Sequence, residues 1–150
     1  MLVRDDMTAA EELDWLGPAS KKKRGAPERL AQVAVVAYLK LALPAGSLVF
    51  AVKNEHGASG RTAGQRARFG AKRKAEGVAA GFPDLGVLLP GGRTVFIEMK
   101  APKSGRLSDA QRMRHAELRA LGFGVGVATS IDTAEAALRA LGVPLNGEAG

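Results

Sequence analysis

The chain has 150 residues with 46% hydrophobic content, enough for one domain with a real core and too short for two. Lys and Arg outnumber Asp and Glu by 22 to 15, and residues 1–17 set only Arg4 against Asp5, Asp6, Glu11, Glu12 and Asp14, so the rest is more basic than the overall +7. Such a charge favours a polyanionic partner, nucleic acid before membrane surface. The absence of cysteine excludes a disulfide framework and a thiolate metal site, and no apolar run approaches the ~20 residues of a membrane span. With no signal-peptide pattern at the acidic start, a cytoplasmic protein is expected.

Thr8 followed by Glu11 forms a capping box for a short helix over residues 9–16, which ends at Gly17-Pro18 and docks through Trp15. Residues 20–25 (Ser-Lys-Lys-Lys-Arg-Gly) read as a linker, either a solvated tether, a phosphate contact or an answer to the acidic tail. Pro27 opens a helix over residues 27–43, with Leu30, Val33, Ala34, Ala37 and Leu41 as its buried stripe. Glu28 lies in the first turn, where the helix dipole alone favours an acid. Val35, Val36 and Leu39 flank the same helix, so cover on a second side, by another subunit, is expected.

A strand over residues 47–53 delivers Asn54-Glu55-His56-Gly57 at its end. Asn54 or Glu55 can orient a water or touch a metal there, though the same residues make good turn chemistry. His56 has no second His or Cys nearby, which argues against zinc. Six basic residues follow between 61 and 74: Arg61, Arg66, Arg68, Lys72, Arg73 and Lys74. Residues 64–76 read as a helix closed by Gly77, presenting either a solvated face or a surface that tracks phosphates.

Residues 82–100 read as a β-hairpin turning at Pro90-Gly91-Gly92. In the second strand Val95, Ile97 and Met99 share one face, while Phe96, Glu98 and Lys100 share the other, with Glu98 and Lys100 roughly 7 Å apart. A three-residue turn pairs Asp84 with Glu98 and brings the two carboxylates within about 5.5 Å, whereas a four-residue turn sends Asp84 to the opposite face. Two carboxylates that close repel unless a cation joins them, and Mg²⁺ is commonly held by one or two carboxylates plus phosphate and water. Lys100 would then stand beside the ion, placed to position a water and offset charge growing on a phosphate. The bland alternative is a hairpin whose solvent face carries Glu and Lys.

Beyond the hairpin, residues 101–106 form a basic loop, and Ser108 caps a helix that ends before Gly122. Gln111 completes a capping box with Ser108, which is one reading of its presence. Arg112, Arg114, His115 and Arg119 decorate this helix, and Ala110, Met113, Ala116, Ala120 and Leu121 are expected to face the sheet. Residues 124–129 form a short buried strand whose glycines imply close packing by a neighbour. Residues 132–141 make the last amphipathic helix. The expected organisation is an acidic and basic leader over 1–25, one domain over 26–145 and a loose tail over 146–150, in an α/β fold with a mixed sheet of about four strands flanked by helices.

Pro83-Asp84 followed by Glu98-Met99-Lys100 resembles the signature of the PD-(D/E)XK nuclease superfamily, whose core is restriction-endonuclease-like. More specifically, the chain from about Pro27 to Leu141 resembles the VRR-NUC (virus-type replication-repair nuclease) domain, through Glu28, Asn54-Glu55, Gly81-Phe82-Pro83-Asp84-Leu85, Glu98-Met99-Lys100 and Leu107-Ser108-Asp109-Ala110-Gln111 in order. The resemblance implies an endonuclease dependent on Mg²⁺ or Mn²⁺ and selective for branched DNA such as four-way (Holliday) junctions. It further implies a homodimer, with no small-molecule cofactor and no membrane partner. In that reading Asp84, Glu98 and the backbone carbonyl of Met99 hold metal, Lys100 serves the attacking water, and Glu28 and Gln111 support them. Asn54, Arg61, Arg66, Arg68, Lys72, Arg73, Lys103 and Arg106 would contact DNA. The rivals are a basic nucleic-acid-binding module without chemistry, and an exonuclease or a nuclease that needs a partner.

Overall fold

The computed structural model describes residues 19–53, 62–103 and 105–147, the stretch 19–26 by its backbone alone. Eight elements follow in order: α1 (Ala19–Ala42), β1 (Leu48–Ala51), α2 (Ala63–Ala75), β2 (Leu85–Leu88), β3 (Thr94–Met99), α3 (Asp109–Ala120), β4 (Gly124–Ala128) and α4 (Ile131–Ala140). The strands make one mixed sheet in the order β1-β2-β3-β4, antiparallel except for the β3–β4 pair. A parallel pair needs a crossover, and α3 supplies it. This is the α/β architecture expected from the sequence. The expected helix at 9–16, Trp15, the side chains of residues 20–25, the segment Asn54-Glu55-His56-Gly57 and Arg61 lie outside what is described.

Alternation along β3 divides the molecule. Val95, Ile97 and Met99 face a core shared with Leu85 and Val87 of β2, Val35, Leu39 and Ala42 of α1, and Ala134 and Leu138 of α4. Leu39, Leu85 and Ile97 are fully buried, and each such side chain contributes about 1.5–3 kcal/mol. The opposite face carries a smaller cluster of Phe96, Leu118 and Val125, with Phe82 against it, and α3 lies on this side. Phe96 makes edge-on ring contacts with Phe82 and Phe123, at centroid distances of 5.1 and 5.7 Å.

Two helices present a different face from the one expected. On α1 the stripe Leu30, Val33, Ala34, Ala37 and Leu41 is exposed, Leu41 to 81%, while Ala31, Val35, Leu39 and Ala42 turn inward. This helix carries two overlapping apolar stripes, and β-branched Val35 with Leu39 packs on the sheet. α1 also starts earlier than Pro27, at Ala19, so the backbone of the basic run is helical. Lys and Arg are good helix formers, and Pro27 removes one backbone bond without ending the helix. On α3 the buried residues are His115 and Leu118, whereas Ala110, Met113, Ala116, Ala120 and Leu121 are exposed.

The remaining elements follow their local chemistry. Thr62 with Gln65, Ser108 with Gln111, and Ser130 with Thr133 cap the last three helices. A methyl group on Gly126 would sit 2.9 Å from the Ala137 side chain, so the glycine lets α4 lie close on β4. Arg93 donates to the carbonyls of Leu141 and Gly142, tying the hairpin tip to the end of α4. Asn146, expected to begin a loose tail, donates from its side chain to the Leu43 carbonyl at 2.9 Å.

Candidate active site

The hairpin register decides which face receives Asp84. Leu85 pairs with Ile97, Gly86 with Phe96, Val87 with Val95 and Leu88 with Thr94. Leu89 N–H donates to the Arg93 carbonyl at 2.8 Å, leaving Pro90, Gly91 and Gly92 as a three-residue loop. Gly91 and Gly92 both have positive φ, 87° and 84°, which a side chain would resist. The ladder therefore runs on toward Asp84 opposite Glu98. Asp84 instead turns its side chain across: Oδ2 accepts the Met99 N–H at 2.8 Å, and its carbonyl accepts the Val52 N–H at 2.7 Å.

Glu98 sits in this junction with 1% of its surface exposed. Its Oε1 accepts a hydrogen bond from Gln111 Nε2 at 2.7 Å and lies 3.4 Å from Lys100 Nζ, itself mostly shielded. Its Oε2 has no hydrogen-bond partner, and His115 Nε2 stands 3.5 Å away without bonding geometry. Burial, then the neighbouring Asp84 carboxylate, push the Glu98 carboxyl up to about 8, although Lys100 pulls the other way. His115, fully buried, is held below its ordinary value by burial first and by Arg119 and Lys100 next.

Three devices hold this arrangement. Gly81, at φ 73°, lies so close under the first turn of α3 that a methyl group would run into the Ala110 carbonyl, which fixes the approach to Asp84. The aromatic cluster anchors α3 over β3. Gln111 uses both ends of its amide, Oε1 accepting the Ser108 N–H at 2.9 Å while Nε2 holds Glu98. The capping role and the site role read from the sequence thus coexist.

Asp84, Glu98, Lys100 and Gln111 come together, with the backbone of Met99 beside them. Glu28 is half-buried on α1, the helix whose buried stripe packs on the other face of the sheet. Arg66, Arg68 and Lys72 are exposed on α2, which buries no residue, and Arg73 stacks its guanidinium 5.5 Å from the Phe69 ring centre. Lys103 and Arg106 are exposed on the loop after β3. None of these exposed cations is drawn into the buried cluster, and Asn54 and Arg61 fall outside the described residues. His115 is the member that sequence reading assigned to the surface. Its spacing with Gln111 and Leu118, four and three residues apart on one helix face, is the signal that could have placed it.

Among the described residues no group of three or more His, Cys, Asp or Glu side chains is set to hold an ion. The donor set is a pair of carboxylates, which suits a hard cation that takes its remaining ligands from water and phosphate. Among the described residues no helix is long and apolar enough to cross a membrane.

Comparison with known proteins gives the family. Residues 43–132 match the model of the VRR-NUC domain. A solved VRR_NUC domain protein superposes with a TM-score of 0.55 at 23% identity, over 75% of this chain and 84% of the other. A second, a VRR_NUC domain, gives a TM-score of 0.44 at 23% identity, over 78% of this chain and 95% of that one. No curated protein gives a significant match. Since the domain match spans more than half of its length, the chain belongs to the VRR-NUC domain family, a nuclease-type family.

Proposed function

We propose that the chain is a divalent-metal-dependent endonuclease that hydrolyses DNA phosphodiester bonds, with branched or four-way junction DNA as its preferred substrate. The observation that carries the reading is the hairpin register, which runs on toward Asp84 opposite Glu98, with Lys100 Nζ 3.4 Å from the buried Glu98 carboxylate. A module that only binds DNA gains nothing from burying an acid among its cations. Asp84, Glu98 and the Met99 carbonyl would hold Mg²⁺ or Mn²⁺. Bound there, the ion supplies Lewis acidity toward the phosphate and lowers the pKa of a nearby water.

The chain's own side chains do the rest. Lys100 Nζ, beside Glu98, is placed to orient the attacking water and to offset charge growing on the phosphate. Gln111 fixes one Glu98 oxygen and so the direction in which the carboxylate points. Arg66, Arg68, Lys72, Arg73, Lys103 and Arg106, with Asn54 and Arg61, track the DNA backbone, which positions the substrate without reading its sequence. A homodimer belongs to this reading, because two sites acting on two strands suit a four-way junction. The exposed Leu30, Val33 and Leu41 on α1 offer a second copy an apolar surface.

The test incubates the purified protein with sequence-matched duplex, single-stranded, flap and four-way DNA, each with Mg²⁺, Mn²⁺ or EDTA. Internal cuts in the four-way substrate with either metal and none in EDTA are expected. Release of mononucleotides from ends would favour an exonuclease, and binding without cutting under every condition would favour the non-catalytic module.

A further inference from the structure

The mechanism above leaves one buried titratable group unused. His115 has no exposed surface, and neither ring nitrogen has a hydrogen-bond partner. Unpaired polar atoms in the interior are uncommon, and two on one ring call for an explanation. The second Glu98 oxygen is also buried without a partner, and it lies 3.5 Å from His115 Nε2. The other Glu98 oxygen is already engaged by Gln111 and Lys100. A carboxylate is an acceptor on both oxygens, and an imidazole nitrogen can donate. A donor and an acceptor that each lack a partner therefore face each other across a gap slightly too wide for a bond.

We propose that His115 is a positioning residue: its Nε2–H donates to Glu98 Oε2 and locks the carboxylate in the orientation it presents to Asp84 and to a divalent cation. The inference rests on the nuclease reading of the site. Lys100 and Gln111 hold one edge of the carboxylate, and His115 holds the other, so the group cannot swing about its last torsion. A neutral ring that donates through Nε2 keeps Nδ1 bare, which agrees with an Nδ1 that has no acceptor to serve. Leu118, one turn further along α3, packs with Phe96 and Val125 and so fixes the helix on the sheet beside Glu98.

The test uses the full chain and three substitutions. His115→Gln keeps an N–H at the reach of Nε2, His115→Asn places one near Nδ1, and His115→Leu has none. Mn²⁺ affinity is read from the free-ion paramagnetic signal, without DNA, and cleavage of the four-way substrate gives kcat and KM. Loss of such an outer partner of a metal ligand typically costs 10–100-fold. Accordingly His115→Leu and His115→Asn should weaken Mn²⁺ binding about tenfold or more and lower kcat with little change in KM, while His115→Gln stays close to the parent. Nitrogen-15 spectra of the parent in Mg²⁺ should show the proton on Nε2. A proton on Nδ1, an unchanged His115→Leu, or equal losses in His115→Gln and His115→Leu would each overturn the proposal. If His115→Leu fails to fold, the parent spectrum and His115→Gln still decide. A parent that neither binds Mn²⁺ nor cuts DNA overturns the nuclease reading and this one with it. A parent that does both, beside an unaffected His115→Leu, overturns this one alone.

Discussion

With Asp84 beside it and one oxygen unpartnered, buried Glu98 is easier to hold in the fold protonated than ionised. Its carboxyl is raised from 4.5 to about 8, so the folded chain binds more protons than the unfolded one across that window. Stability should therefore be greatest below the lower value and fall as pH rises through the window, the reverse of the usual ion-paired carboxylate. Thermal melts in EDTA should record that fall, Glu98→Gln should flatten it, and Mg²⁺ should restore stability at the alkaline end; a parent whose melting point climbs across the same range would contradict the account. Gly81→Ala makes a related prediction, since both its positive φ and the Ala110 carbonyl resist a side chain. The variant should fold less stably by about 1–3 kcal/mol and cleave poorly, because the path to Asp84 must shift. Asp84, Glu98 and Lys100 were legible because strand alternation has a period of two and the turn residues specify three loop positions. His115 was not. Among three arginines on one helix it reads as decoration, and only its neighbour Glu98 on β3 reveals that this stretch of α3 turns polar atoms inward.

At the level of elements, the hairpin, the capped helices and the glycine-bearing last strand were readable from local chemistry, while the rotation of α1 was not. Its apolar residues form two stripes about a third of a turn apart, and a helix pattern alone cannot say which one meets the sheet. The structure makes the distinction measurable. Leu39→Ala, at a fully buried position, should destabilise the fold by about 2–5 kcal/mol, whereas Leu41→Ala, at a position 81% exposed, should stay within about 0.5 kcal/mol for the dilute chain. Denaturant unfolding gives both values, and equal losses would mean that the helix is rotated. The same ambiguity explains α3, whose exposed Met113 and Leu121 had been expected on the sheet. That helix turns Gln111, His115 and Leu118 inward, so its hydrophobic periodicity points the wrong way.

Over the whole molecule, a net charge of +7 and the exposed cations of α2 imply binding that is largely electrostatic. DNA affinity should drop steeply with salt, and neutralising Arg66, Arg68, Lys72 and Arg73 together should flatten the slope of log K against log salt by up to about four units; an unchanged slope would put the DNA on another face. Affinity and chemistry rest on different residues in this account, exposed cations for one and the half-buried Asp84, buried Glu98 and shielded Lys100 for the other. Their separation gives the most direct measurement. Single-turnover cleavage of four-way DNA in Mg²⁺ or Mn²⁺ is compared for the parent, Asp84→Ala and Lys100→Ala, with binding measured on the same preparations. The account predicts that both variants bind DNA within severalfold of the parent, Asp84→Ala more tightly if anything, and that neither cuts. Near-parental cleavage by either variant would contradict it.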